Sequence, residues 1–224
     1  MFASTLSALR TRISVALLGA MFSLTAGSAS AAVIVYTDQD AFRAAVNYVS
    51  TDHLDGLTGG LLAGSYAGAG YLARAVDPLG YPADEHADAL FGVDNGAGGN
   101  WLGTNFATSV LSLDGLGANV AAIGGFFFGT DTDGARAPGA LTLTVRDASG
   151  LFGYVFDPAA AGGFIGFGSD SAIEALSLVA QQGATPLYAT IGQLDLGVVP
   201  EPGPLALLGV AALALAASRR RAPR

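Results

Sequence analysis

The sequence predicts a mainly β protein: an antiparallel β-sandwich with one short N-terminal helix and a single hydrophobic helix at the C-terminal end. Three observations carry this. Apolar residues alternate with polar ones at period two through most of the second half. Gly- and Asp-rich turn signals separate these runs roughly every 8–12 residues. Of the 224 residues, 51% are hydrophobic and 12% charged, a composition too apolar for a disordered chain. That length accommodates one ordinary domain and its processing segments.

Residues 1–31 read as a secretory signal peptide. Arg10 and Arg12 supply the basic start, Ile13 to Leu24 a short apolar run, and Ala29-Ser30-Ala31 a small-x-small cleavage site. Export would then pass through the Sec translocon and signal peptidase, leaving a mature N-terminus at Ala32 or Val33. Val33–Thr37 follows as a first strand. Thr37-Asp38-Gln39-Asp40 fits a helix start, with Asp40 placed as a capping-box acid, and Phe42, Ala45, Val46 and Val49 continue at helical spacing.

The period then changes to two. Strands are expected at Phe106–Leu113, Val120–Phe128, Ala140–Arg146, Leu151–Phe156, Phe164–Phe167, Ile173–Val179 and Tyr188–Leu196. In the third of these, Leu141, Leu143 and Val145 alternate with Thr142, Thr144 and Arg146, which describes one buried face and one wet face. The exported domain is therefore drawn at 32–198.

Residues 199–224 form a separate tail. Val199-Pro200-Glu201-Pro202 precedes an apolar run from Leu205 to Ala217, then Ser218 and Arg219, Arg220 and Arg221. Thirteen helical residues reach about 20 Å, short of the roughly 30 Å hydrocarbon core. The arginines would hold their end in the cytoplasm, with the Pro-Glu-Pro segment on the far side of the inner membrane. This tail resembles the PEP-CTERM sorting signal. The resemblance implies an exosortase as processing partner, Pro200, Glu201 and Pro202 as the recognition motif, and Arg219, Arg220 and Arg221 as the cytoplasmic stop. It also implies transient residence in the inner membrane, then a cell-surface or extracellular location in a bacterium that makes exopolysaccharide. The stretch Val120 to Leu196 is loosely similar to β-sandwich ectodomains that carry such tails, which implies a jelly-roll or lectin-like arrangement and no particular activity.

Charge bounds the partners. Segment 32–199 holds four arginines against seventeen acidic residues, net −13, so phosphate backbones would be repelled and nucleic acid is excluded. Cysteine is absent, which removes thiol catalysis, disulfides and Cys-based zinc sites.

Candidate chemistry is sparse. Gly68-Ala69-Gly70-Tyr71-Leu72-Ala73 fits the letters GxGxxA of a dinucleotide fingerprint, but follows no clear strand and opens no helix, so a loop is expected. Gly92–Asn100 lacks the Lys-Ser/Thr of a phosphate loop and reads as a turn. Catalysis by a Ser-His-Asp triad would need His53 or His86, both expected on surface segments. Asp131-Thr132-Asp133-Gly134 is an acidic turn whose Asp131 and Asp133 offer hard oxygen ligands for calcium, with Asp94, Asn95 or Asp170 as further ligands. No other cofactor is implied. The expected function is a non-enzymatic, exosortase-processed surface or matrix protein that binds polysaccharide, with Trp101, Tyr71 or Tyr81 on a concave face. The alternative is an exported hydrolase of glycans or esters, using a carboxylate pair or a histidine in a cleft.

Overall fold

Leu141, Leu143 and Val145 are buried, while Thr142, Thr144 and Arg146 between them keep contact with solvent. Repeated over many short segments, that rhythm gives each sheet one apolar face, and two such faces close on each other. The computed structural model describes residues 33–158 and 163–199.

Within these, the chain runs β1 (Ile34–Tyr36), α1 (Gln39–Ala45), β2 (Asn47–Asp52), β3 (Gly60–Leu61), β4 (Ser65–Gly68), β5 (Tyr71–Val76), β6 (Leu90–Asp94), β7 (Asn100–Thr104) and β8 (Val110–Asp114). It continues through β9 (Ala122–Thr130), β10 (Arg136–Ala137), β11 (Leu141–Asp147), β12 (Gly150–Phe156), β13 (Phe164–Gly168), β14 (Ile173–Ala180) and β15 (Tyr188–Val198). One sheet has nine strands in the order β1-β13-β9-β15-β7-β6-β3, with β10 added to β9 and β2 to β15. The other has six, in the order β12-β11-β14-β8-β5-β4. All pairings are antiparallel.

The core lies between the sheets. Leu111, Leu113, Leu143 and Leu178 come from the six-stranded side, and Leu102, Phe127, Ile165 and Ile191 from the nine-stranded side. β15 organises the larger sheet. It pairs with β9 from Tyr188 to Gly197, and its other edge takes β7 at Thr190–Ile191 and β2 from Leu194 to Val198. Ile191 and Leu194 are both buried although three positions apart, which strict alternation forbids. A bulge between Ile191 and Gln193 absorbs the extra residue and resets the phase, leaving Gly192 and Gln193 on the outer side.

A second, smaller core sits outside the nine-stranded sheet, where Phe42 of α1 packs with Val46, Ala122 and Phe164. Glycines make room for it: a Cβ on Gly166 would lie 2.4 Å from the Phe42 ring. The helix cap differs by one residue from the sequence expectation. Asp38, not Thr37, is the N-cap, accepting a 2.8 Å hydrogen bond from the Ala41 amide, so Asp40 lies in the first turn and favours the helix dipole instead. The helix stops at Ala45, and Val46 and Val49 belong to extended chain because β2 pairs with β15.

Each of the seven expected strands is present as β8, β9 and β11–β15, with shifted ends. The first begins at Val110 rather than Phe106, because the chain turns at 106–109 and the buried Ser109 hydroxyl donates to the Ala87 carbonyl at 2.6 Å. The segment 47–104 holds six strands beyond the seven expected, of which only β2 touches a stretch, Thr51–Asp55, that alternates in sequence. The GxGxxA stretch is corrected from a loop to the β4–β5 hairpin, with Gly70 at φ +93° in its two-residue turn. Among the described residues no helix is long and apolar enough to cross a membrane.

Candidate functional site

Leu102 of β7 faces the core, so its neighbour Trp101 faces out; Phe127 of β9 faces in, so Phe126 and Phe128 face out. Trp101 and Phe128 meet edge-on, with ring centroids 4.7 Å apart and planes at 77°. The turn after β9 returns as β10 and lays Arg136 across this pair, its guanidinium 4.0 Å from the Phe128 centroid and 4.8 Å from that of Trp101. The bulge supplies the floor. A Cβ on Gly192 would come within 3.0 Å of Phe128 and 3.4 Å of Trp101, so only a glycine leaves the rings undisturbed. Trp101, Phe126, Arg136, Gly192 and Gln193 line a groove of about 250 Å³.

The cations of the described domain divide three to one. Arg43 pairs with Asp195 at 3.1 Å, Arg74 with Asp114 at 3.3 Å and Arg146 with Glu174 at 3.1 Å. Arg136 has no carboxylate at ion-pair distance among the described residues, and burial against the rings draws its pKa below the ordinary guanidinium value.

Beside the groove, Asp195 is fully buried and saturated. One oxygen accepts from Gln39 at 2.9 Å and Arg43 Nε at 3.1 Å, the other from Thr51 at 2.7 Å, Arg43 Nη2 at 3.2 Å and Gln193 Nε2 at 3.2 Å. Burial pushes its pKa up, but the bonds from Arg43, Thr51 and Gln39 and the Arg43 charge outweigh that and hold it below the usual carboxylate range. The network fastens α1 and β2 to β15 and orients Gln193 at the groove edge.

At the far end of β15 the chain reaches Val199, the last described residue of this stretch. A hollow of about 470 Å³, lined by Asn47, Asn119, Ser169, Asp170, Val198 and Val199, lies at this exit. Residues 198–221 match the family described as the PEP-CTERM protein-sorting motif. The chain carries a PEP-CTERM sorting signal. It is thus an exported protein, with exosortase as its processing partner and a C-terminal membrane anchor before processing. No curated protein and no solved structure matches the chain. The matched segment begins on Val198, the last residue of β15, so the sheet runs directly into it. Pro200, Glu201, Pro202, the run Leu205–Ala217 and Arg219, Arg220 and Arg221 lie outside the described residues.

The remaining sequence candidates scatter. Asp131 turns one oxygen inward to accept the amides of Asp133 and Ala135, each at 3.0 Å, closing its own turn, while Asp133 is exposed. Asp94 and Asn95 likewise cap the amides of Gly96 and Ala97, at 2.8 Å each, and Asp170 lies at the tail exit. Among the described residues, no three His, Cys, Asp or Glu gather into a metal-holding group. His53 and His86 are exposed, His86 in a left-handed conformation after a 3-10 turn.

Of the three aromatics expected on a concave face, Trp101 is in the groove. Tyr71 is not: it is 5% exposed, packed in the core with its hydroxyl donating to Asp52 at 3.0 Å, and burial with that carboxylate holds its phenol far above the usual range. Tyr81 is exposed but rests on Phe106, away from the groove residues. Sequence reasoning missed Arg136, Phe126, Phe128 and Gln193. The run Phe126-Phe127-Phe128 held the available signal, since alternation must put two of its three rings on one face.

Proposed function

We propose that this exported, exosortase-sorted protein is a non-enzymatic surface or matrix component that holds polysaccharide in the groove of Trp101, Arg136 and Gln193. The observation that carries this is the half-buried Trp101 on the outer face of the larger sheet, propped edge-on by the buried Phe128, in a groove shared with Phe126, opened by Gly192 and edged by polar groups. Flat aromatic surface beside hydrogen-bonding side chains suits a sugar ring, which offers apolar C–H faces and an equatorial rim of hydroxyls.

Binding is favoured over hydrolysis by the state of the buried acids. Asp195 is saturated, and Asp147, 4% exposed, accepts from Ser149 and Ser169 at 2.6 Å each. Burial raises the pKa of Asp147, and those bonds outweigh it and lower the pKa below normal, the reverse of what a general acid requires. Calcium on Asp131 and Asp133 is a subsidiary proposal: no protein donor among the described residues meets the Asp133 carboxylate. A melting temperature that rises with calcium in the parent and not in Asp133→Ala would support it, and indifference to calcium would remove it.

The main test is co-sedimentation of the exported protein with exopolysaccharide from its host. Trp101→Ala should weaken retention about tenfold or more while the melting transition stays cooperative. Equal retention of parent and variant would refute the groove as the binding site.

A further inference from the structure

Resting on that reading, we infer that the groove is built for an acidic sugar, a uronate whose carboxylate is received by Arg136. Every other arginine of the described domain already faces a carboxylate at 3.1–3.3 Å. Arg136 faces two aromatic rings instead, and none of its N–H groups meets a protein acceptor among the described residues. The rings hold the guanidinium carbon within 4.0 and 4.8 Å of their centroids, while the exposed edge of the group keeps N–H donors for a ligand. That edge presents paired donors at the spacing of a carboxylate's two oxygens.

Gln193 completes the arrangement. Its Nε2 donates to Asp195 at 3.2 Å, which leaves Oε1 to accept a sugar hydroxyl at the groove edge. The ligand therefore meets one cationic fork, one neutral acceptor and an aromatic wall. A neutral sugar would use only the last two.

The domain's net charge of −13 sets how the polymer is held. It opposes a polyanion at long range, so a single acidic sugar is gripped at contact and the chain is not followed by a row of cations. Salt screens the distant repulsion more than the contact pair, because the Debye length is about 8 Å at physiological ionic strength. Affinity should accordingly hold steady or rise with added salt, opposite to the steep fall shown by proteins that bind polyanions through basic patches.

The test is titration calorimetry of the exported protein with oligogalacturonate and alginate fragments, each beside its methyl ester, which keeps the ring and removes the charge. The expected result is acid bound about tenfold or more tightly than ester, as a charge-assisted hydrogen bond implies. Arg136→Gln should bring the acid down to the level of the ester with the melting temperature little changed, and Arg136→Lys should restore part of the preference. Equal binding of acid and ester by the parent would overturn the acidic-sugar inference and leave the polysaccharide reading standing. A preference for acid that survives Arg136→Gln would overturn the role of Arg136. No binding of either form would overturn both.

Discussion

Arg43 and Arg146 each face one carboxylate at 3.1 Å, yet the two pairs differ in consequence. Arg146 and Glu174 are 55% and 54% exposed, so water screens the pair and side-chain ordering offsets most of its attraction. Asp195 is fully buried, and removing Arg43 would leave a charge in the sheet with only neutral donors. Arg43→Ala should therefore destabilise the domain by about 3 kcal/mol. Arg146→Ala should cost less than about 1 kcal/mol, and urea denaturation of both variants measures the difference. The same acids set the response to pH. Asp195 and Asp147 both have folded pKa values below normal. Their contribution is complete above the unfolded carboxylate value of about 4 and disappears as pH falls through the lower folded values. Denaturation midpoints should stay level from pH 7 to about 5 and drop below about 4. In Asp195→Asn that drop should be smaller. An equal drop in the variant would show that Asp195 does not govern it.

Among elements, α1 is the one that depends most on residues elsewhere. Its Phe42 reaches the outer face of the nine-stranded sheet only because Gly124 and Gly166 leave a furrow there. Gly166→Ala should lift Phe42 from its seat and cost about 1–3 kcal/mol, the range for overpacking a filled core. Cleavage within α1 under limited proteolysis should increase, and a variant as resistant as the parent would contradict the furrow. The strands differ in how readily the sequence displayed them. β11 alternates without a break across Leu141, Thr142, Leu143, Thr144 and Val145, and was legible for that reason. β3 is two residues long, and β4 reads Ser-Tyr-Ala-Gly, too short and too small-residue-rich to show a period. Their existence is decided by pairing with β6 and β5, which is not local information. The candidate site was half legible for the same reason. Trp101 was legible as one of the aromatics, with Tyr71 and Tyr81, that a binding face would present. Arg136 lies in Gly134-Ala135-Arg136-Ala137-Pro138, which reads as a turn, and it gains its meaning only when β9 sets Phe128 beneath it.

At the scale of the whole molecule, the sandwich and the sorting signal share a residue, Val198. β2 pairs with β15 on one side up to that residue and β9 on the other up to Gly197, so the sheet reaches the first residue of the signal. An exosortase acting near Pro202 would cut within a few residues of the end of β15. The sharpest test compares intact masses of the protein taken from the surface of one host that has an exosortase and one that lacks it. The expected result is a mature form without the residues after about Pro202 in the first host, and a form retaining Arg224 in the second. Full tails to Arg224 in both hosts would contradict exosortase processing and reduce the segment to a simple anchor.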